Sequence, residues 1–311
     1  MLRRLMLAVS ASDRLKGIVT TAPLARDVVA RYVAGASTDD ALAVTRQLID
    51  RGLLVTLDHL GEHTTDPDQA AAAADEYIRL LGRLADAGFA SGGAAEVSVK
   101  PTAVGLGLSE HGEKTARENI TRICVAARRA GTTVTLDSEE HGRVDATLRL
   151  HRELSADFPD LGCVIQSYLR RSEADCAELA VAGTRVRLCK GAYDAPEAVA
   201  FTARRDVDLS YVRCLRTLLS GPGYPMIATH DPRLIEIGTA QALLAGRAAG
   251  TFEYQMLHGI RPGEQQRLAG TGAQVRVYLP YGKDWYGYLT RRLAERPANL
   301  VFFLRSLTSK R

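Results

Sequence analysis

No apolar run in this sequence approaches the ~20 residues that a membrane-spanning helix needs, and no block of like charge occurs. The 40 basic and 36 acidic residues are interleaved, so the net charge of +4 gives no reason to expect nucleic acid as a partner. There are seven histidines but no HxH or HExxH pattern, which argues against a zinc hydrolase, and no metal is expected. The five cysteines (Cys124, Cys163, Cys176, Cys189, Cys214) form no CxxC pair and are odd in number. That usage predicts reduced thiols in a cytoplasmic protein rather than a disulfide scaffold. A GxGxxG turn is also missing, and the GLG at 105–107 reads as a flexible loop. Lysine is scarce, occurring only at positions 16, 100, 114, 190, 283 and 310, so arginine carries most of the positive charge.

What is present is enough for a substantial core. Over 311 residues, 46% are hydrophobic and 24% charged, which excludes a disordered tail, a collagen-like fibre and a small cystine-rich module. The opening MLRRLMLAVSAS imitates a secretory signal. Its apolar stretch, Leu5 to Val9, is shorter than the ~7–15 residues a signal uses, and an amphipathic first helix is the expectation.

Two helical patterns follow, Pro23–Tyr32 and Ala41–Ile49, the second preceded by Thr38-Asp39-Asp40 as a cap and stopped at Gly52. Beyond that point short strand-like runs alternate with helical segments. The strand candidates are Leu54–Leu60, Glu96–Lys100, Thr132–Asp137, Cys163–Gln166, Val186–Lys190, Met226–His230, Phe252–Met256 and Val275–Leu279. The helix candidates are Gln69–Ala87, Glu113–Ala130, Val144–Asp157, Glu173–Ala182, Thr202–Leu219, Pro232–Ala245, Gly263–Leu268 and Asp284–Glu295. Glycines 88, 131, 162, 183 and 250 fall between helix and strand, as C′ residues do. A doubly wound sheet shares this alternation, but eight units in roughly 245 residues without a dinucleotide turn fit a (βα)8 TIM barrel better. The expected organisation is one domain over 1–311: an N-terminal helical segment (1–52), a barrel (53–299) and a tail (300–311).

Strand interiors read as mostly apolar, while the strand ends are polar: Asp58-His59 with Glu62, Lys100, Asp137, Gln166, Arg187 with Lys190, Thr229-His230, Gln255 with His258, and Tyr278. In a barrel the chemistry sits at the C-terminal ends of the strands, and charges gathered there call for a ligand. Besides metal chemistry, two classes fit such a rim. One is a Schiff-base lyase using Lys100 or Lys190. The other is a cofactor enzyme for which the fold supplies orientation and electrostatics. The adjacent Arg291 and Arg292, within YLTRRLAE, form either a solvated helix face or a carboxylate clamp.

Eight segments in order resemble one family. RVRLCKGAYD (185–194), PMIATHDP (225–232), FEYQMLHG (252–259), VRVYLPYG (275–282) and YLTRRLAERPAN (288–299) are similar to proline dehydrogenases. VSVKPTAVG (97–105), LDSEEH (136–141) and VIQSYLRR (164–171) extend the likeness. The resemblance implies an FAD-dependent, distorted (βα)8 barrel whose last helix lies over the mouth. It implies oxidation of L-proline to Δ1-pyrroline-5-carboxylate, the first step of proline catabolism to glutamate, with electrons passed to a membrane quinone. A chain of this size resembles the monofunctional bacterial type, so a separate pyrroline-5-carboxylate dehydrogenase would act downstream. Such a protein would be cytoplasmic, with peripheral contact at the inner face of the membrane.

The same resemblance implies roles for individual residues. Arg291 and Arg292 would hold the proline carboxylate, and Lys100 would face it. Asp137 would pair with Lys100 within the charge network. Tyr278, Leu257 and Tyr193 would line the pocket, Tyr278 favouring proline over hydroxyproline. Glu62 would pair with Arg291 in a closed site. Arg187 would lie beside the reactive flavin nitrogen, with Ser138, Gln166, Lys190, Gly191, Ala192, Thr229 and His230 as further cofactor contacts.

Overall fold

The structure is a computed structural model that describes residues 29–62 and 64–289. Eight parallel strands close in sequence order into a (βα)8 barrel. They are β1 (Leu54–His59), β2 (Ala95–Val99), β3 (Val134–Leu136), β4 (Gly162–Gln166), β5 (Arg185–Cys189), β6 (Tyr224–Ala228), β7 (Glu253–Leu257) and β8 (Val275–Tyr281). Val55 of β1 stands opposite Ala95 on one side and Val277 on the other, which joins first strand to last.

A first helix, α1 (Thr38–Ile49), precedes β1, and the outer ring continues with α2 (Pro67–Asp86), α3 (Gly112–Ala130) and α4 (Val144–Ser155). It is completed by α5 (Ser172–Val181), α6 (Arg204–Ser220), α7 (Pro232–Leu244) and α8 (Pro262–Gly270). In α2 the buried residues Ala70, Ala74, Tyr77, Leu80, Leu81 and Leu84 recur at three- and four-residue spacing, so one face meets the sheet. Helix α1 packs against β8 and β1, on the outer wall where the barrel closes. The chain reaches α1 over the rim: the Ala34 N–H donates to the Pro280 carbonyl, and the Gly282 N–H to that of Gly35. The cap of α1 is Ser37, one residue earlier than expected. Ser37 Oγ accepts from the Asp40 N–H while the Asp40 carboxylate accepts from the Ser37 N–H, a reciprocal box.

The last helical pattern begins as expected, with residues 285–289 helical and Leu289 fully buried. The remainder, including Arg291, Arg292, Glu295 and the tail, lies outside the described residues, as do the opening segment and most of Pro23–Tyr32. No helix among the described residues is long and apolar enough to cross a membrane.

Three expectations need correction. Gly162 is not a helix C′ residue but lies inside β4, where an added Cβ would press on Thr135 Oγ1 and the Arg185 carbonyl at 3.0 and 3.3 Å. The segment around Gly105–Gly107 is no flexible loop: Thr102, Ala103, Val104 and Leu106 are buried, in a turn packed on α3. Nor are the strand interiors apolar throughout. Outward residues such as Val55, Val97, Leu188 and Val277 join the aliphatic core, whereas Thr56, Glu96, Ser98, Arg187, Glu253, Gln255 and Arg276 are buried polar groups on the alternate positions. Because strand side chains alternate between faces, these alternate positions form a polar lumen where most barrels hold aliphatic layers.

Candidate active site

A cavity of about 540 Å³ opens at the C-terminal ends of the strands, within the ~300–1,000 Å³ range of small-molecule sites. Every sequence-predicted site residue in the described part lines it except Glu62: Lys100, Asp137, Ser138, Gln166, Arg187, Lys190, Gly191, Ala192, Tyr193, Thr229, His230, Leu257 and Tyr278. Glu62 sits half-buried in the turn after β1, where its charge reaches Lys100. Tyr288, from the last helix, closes one side. A second cavity of about 590 Å³ opens at the opposite face, but of the arginines lining it Arg185 and Arg276 are already bonded to Glu96 and Glu253, and Arg128 lies over the Phe158 ring and donates to the Asp157 carbonyl.

The floor of the upper cavity is a buried ionic cluster. Arg187, only 4% exposed, donates from Nη1 to Asp137 Oδ1 at 2.8 Å and to Ser98 Oγ at 2.9 Å, and from Nε to Gln255 Oε1 at 2.5 Å. Its guanidinium lies 5.2 Å from the Tyr278 ring centre, within cation–π range. Ser98 donates to the same Asp137 oxygen at 2.7 Å, and the Tyr278 hydroxyl donates to the other, also at 2.7 Å. Burial first, then the Asp137 and Asp58 charges, hold the Tyr278 phenol well above its ordinary pKa, so it stays a donor.

Lys100 has a nearer partner than the expected Asp137, with which it keeps only a long ion pair. Its ammonium donates to both oxygens of Asp58 at 2.6 Å, while Asp137 is 4.0 Å away. Asp58 is the nearer partner because β1 adjoins β2 and brings its carboxylate to the same level of the lumen. Asp137 is occupied instead by Arg187, Ser98 and Tyr278. Burial alone would lower the Lys100 pKa, but Asp58 and then Asp137 outweigh it and hold the ammonium charged. Burial pushes the Asp58 carboxyl up, against the lowering effect of the Lys100 ammonium. A charged ammonium has no lone pair, the opposite of what an imine-forming lysine requires.

Removing one member of a buried pair strands the other, at a cost of about 3–5 kcal/mol. Asp58→Ala should therefore lower the urea midpoint of unfolding, and adding Lys100→Met should recover part of the loss. An unchanged midpoint in the single variant would show that Lys100 is satisfied elsewhere.

The rim is organised by helix starts and loops. Lys190 forms an ion pair with Asp208 of α6 at 2.6 Å and donates to Asp231, the N-cap of α7, at 3.2 Å. Strand β6 ends two residues before its expected limit because Thr229 and His230 leave the ladder for side-chain duties. Thr229 Oγ1 accepts the Asp231 N–H, and His230 Nε2 accepts the Leu257 N–H at 2.9 Å, so that nitrogen carries no proton. Gly191 has φ +105, and any Cβ there would run into the Tyr168 ring, so this stretch of cavity wall needs glycine. Gln166 donates to Ser138 Oγ at 3.0 Å and to the Glu139 carbonyl at 2.8 Å. The buried Glu139 carboxylate accepts from the Thr102 N–H at 3.0 Å and its hydroxyl at 2.5 Å, tying the turn that follows Lys100 to the one that follows Asp137.

Asp58 and Gln255 are polar strand residues to which the sequence reading assigned no role, and Ser98 and Glu139 escaped it. Ser98 had a signal: Glu96, Ser98 and Lys100 recur at period two through an otherwise apolar run, which places them on one face. Among the described residues no group of three or more His, Cys, Asp or Glu side chains could hold a metal ion.

The cavity suits a flavin by its donor set. A guanidinium and an amide lie beneath it, an apolar wall of Val164, Ala228 and Met256 can meet a ring system, and Lys190 and Arg204 stand nearer its edge. The described charges nearly cancel, with Lys100, Arg187, Lys190 and Arg204 against Asp58, Asp137 and Asp231.

Comparison with known proteins agrees with this geometry. A profile of the proline dehydrogenase family matches residues 41–305. The chain is 40% identical over 279 residues to a proline dehydrogenase of Deinococcus radiodurans, covering 89% of each. It is 37% identical over 285 residues to proline dehydrogenase 2 of Bacillus subtilis, covering 92% of each. Among solved structures it superposes on a proline utilization A (PutA) protein of Bdellovibrio bacteriovorus, inactivated by N-propargylglycine, with a TM-score of 0.81 and 26% identity. That match covers 90% of this chain but only 34% of the much longer PutA chain. The chain belongs to the proline dehydrogenase family, enzymes of proline oxidation.

Proposed function

We propose that the rim cavity holds FAD and L-proline together and that the chain oxidises L-proline to Δ1-pyrroline-5-carboxylate, with a quinone as the eventual electron acceptor. The observation that carries this reading is the buried Arg187–Asp137–Tyr278 cluster under an open cavity of about 540 Å³. FAD, when bound, would supply the acceptor for the hydrogen and electron pair leaving the substrate carbon. Arg187, Gln166, Lys190, Thr229 and His230, with the backbone at Gly191 and Ala192 and with Ser138, would hold it. A guanidinium fixed in a dry site can stabilise negative charge without reorganising, which is where electrostatic catalysis is largest.

Substrate would sit between Lys100, Tyr278, Leu257 and Tyr193. Lys100 and Arg187 are each matched by an acid, so the surplus positive charge that receives a carboxylate would come from Arg291 and Arg292. Glu62 would answer Arg291 when the site closes. Those same cations would lower the pKa of the substrate amine, so no dedicated base is required. Orientation by such a clamp is worth up to ~7–11 kcal/mol of barrier. A separate dehydrogenase would consume the product, and reaching a membrane quinone would need a peripheral contact at the bilayer.

Purified protein supplied with FAD should show a flavin spectrum that bleaches when L-proline is added without oxygen. N-Propargylglycine, which inactivates the Bdellovibrio relative, should abolish that bleaching. A protein that takes up no FAD and leaves L-proline untouched with an artificial dye present would refute the reading.

A further inference from the structure

We propose that Gln255 is a positioning residue that fixes the guanidinium of Arg187, with Glu253 as its anchor. The proposal rests on the reading of Arg187 as the flavin's neighbour. Gln255 lies on β7, 3% exposed, between two groups of opposite hydrogen-bonding character. Its Oε1 accepts from Arg187 Nε at 2.5 Å, and its Nε2 donates to Glu253 Oε1 at 2.5 Å and to Met226 Sδ at 3.1 Å. An arginine Nε–H can only donate and an ionised carboxylate can only accept. The bridging side chain must therefore accept at one end and donate at the other, and a carboxamide of glutamine length does both.

Glu253 does not float. Its Oε1 accepts from Arg276 Nε at 2.7 Å and its Oε2 from the Tyr224 hydroxyl at 3.2 Å, while Arg276 Nη1 is bonded to the carbonyls of Val55 and Gly93 at 3.1 Å. A chain of bonds thus runs from backbone carbonyls low in the barrel through Arg276, Glu253 and Gln255 to Arg187. Asp137 and Ser98 hold Nη1; Gln255 holds Nε. Two bonded edges on a planar group leave it little rotational freedom, so Gln255 sets the plane that Asp137 alone would not.

Replacing the amide tests this directly. Gln255→Leu removes both bonds at similar volume. Gln255→Glu keeps the shape, and its protonated carboxyl can still accept from Arg187 while donating to Glu253. Once ionised, it faces Glu253 as a second carboxylate, and like charges in contact raise the pKa of the pair. The other ionisable groups around this point are Arg187 and Arg185 from β5, Arg276 and Tyr278 from β8, Glu96 from β2, Tyr224 from β6 and Asp137 beyond β3.

The expected result for Gln255→Leu is a fall of about tenfold in kcat for proline, with KM within about twofold. The Gln255→Glu enzyme should match wild type at pH 6 and fall toward the leucine variant as the pH rises to 8.5. The absorption spectrum of its bound flavin should shift over the same interval. Both enzymes are compared with wild type at each pH, loaded with FAD, after their melting curves are recorded. If wild type bleaches with proline and both variants match it at every pH, the positioning role is overturned while the flavin reading stands. If wild type takes up no FAD, both fall. Loss of fold in both variants would assign Gln255 to stability alone and likewise overturn the proposal.

Discussion

Arg187→Met should reduce the rate at which proline bleaches the flavin by about 10²–10³-fold, the usual loss when one preorganised donor is removed from a reacting centre. Methionine keeps the length and apolar character of the stem, so little cavity forms, but three acceptors lose their donor: Asp137, Ser98 and Gln255. Asp137 is then left with Tyr278 and Ser98, and with Lys100 at 4.0 Å. An uncompensated buried carboxylate costs about 3–5 kcal/mol, so the melting temperature should fall too. Stopped-flow reduction under anaerobic conditions, with FAD affinity measured separately, distinguishes a slow hydrogen transfer from a lost cofactor. A fully flavin-loaded and fully active variant would remove Arg187 from the site.

The second large effect concerns residues beyond the described part of the chain. Arg291→Ala and Arg292→Ala should each raise KM for proline by about 30–1,000-fold, because deleting one partner of a desolvated charge pair costs about 2–4 kcal/mol. FAD affinity should change by less than about twofold, since both would contact the substrate carboxylate and not the cofactor. The expectation rests on the YLTRRLAE segment and on the pairing of Lys100 with Asp58 and of Arg187 with Asp137, which leaves neither cation in excess for an anionic substrate. Weakened FAD binding with an unchanged KM would contradict it.

Much of the architecture is legible in the sequence. Eight apolar runs alternating with amphipathic segments locate all eight strands to within two residues, because the periodicities of burial are local properties. The residues grouped at strand ends converge on one cavity because parallel strands with intervening helices present all their C-terminal ends on one face. Some readings fail for equally local reasons. Ser37 rather than Thr38 caps α1, since the reciprocal box with Asp40 satisfies two N–H groups. Gly162 fits a helix stop by its place in the sequence, whereas its use is close approach between neighbouring strands.

The pairing inside the barrel was not legible, and the reason is geometric. Asp137 and Lys100 are both strand-end charges, and nothing in their spacing says that Asp58 on the adjoining strand lies nearer to the lysine. A strand has two faces that its own sequence labels only as polar or apolar. The period-two run Glu96, Ser98, Lys100 marks a shared face without saying whether it meets solvent, helices or lumen. Closure of β1 on β8 decides that, and the register then decides which groups share a level. The amino-acid order therefore determined the repeating units, the family and the rim at which chemistry gathers, since these follow from short-range periodicity and contiguous motifs. Only the closed barrel decided which buried group answers which, because partners such as Asp137 and Tyr278 stand 141 residues apart along the chain and meet solely across the lumen.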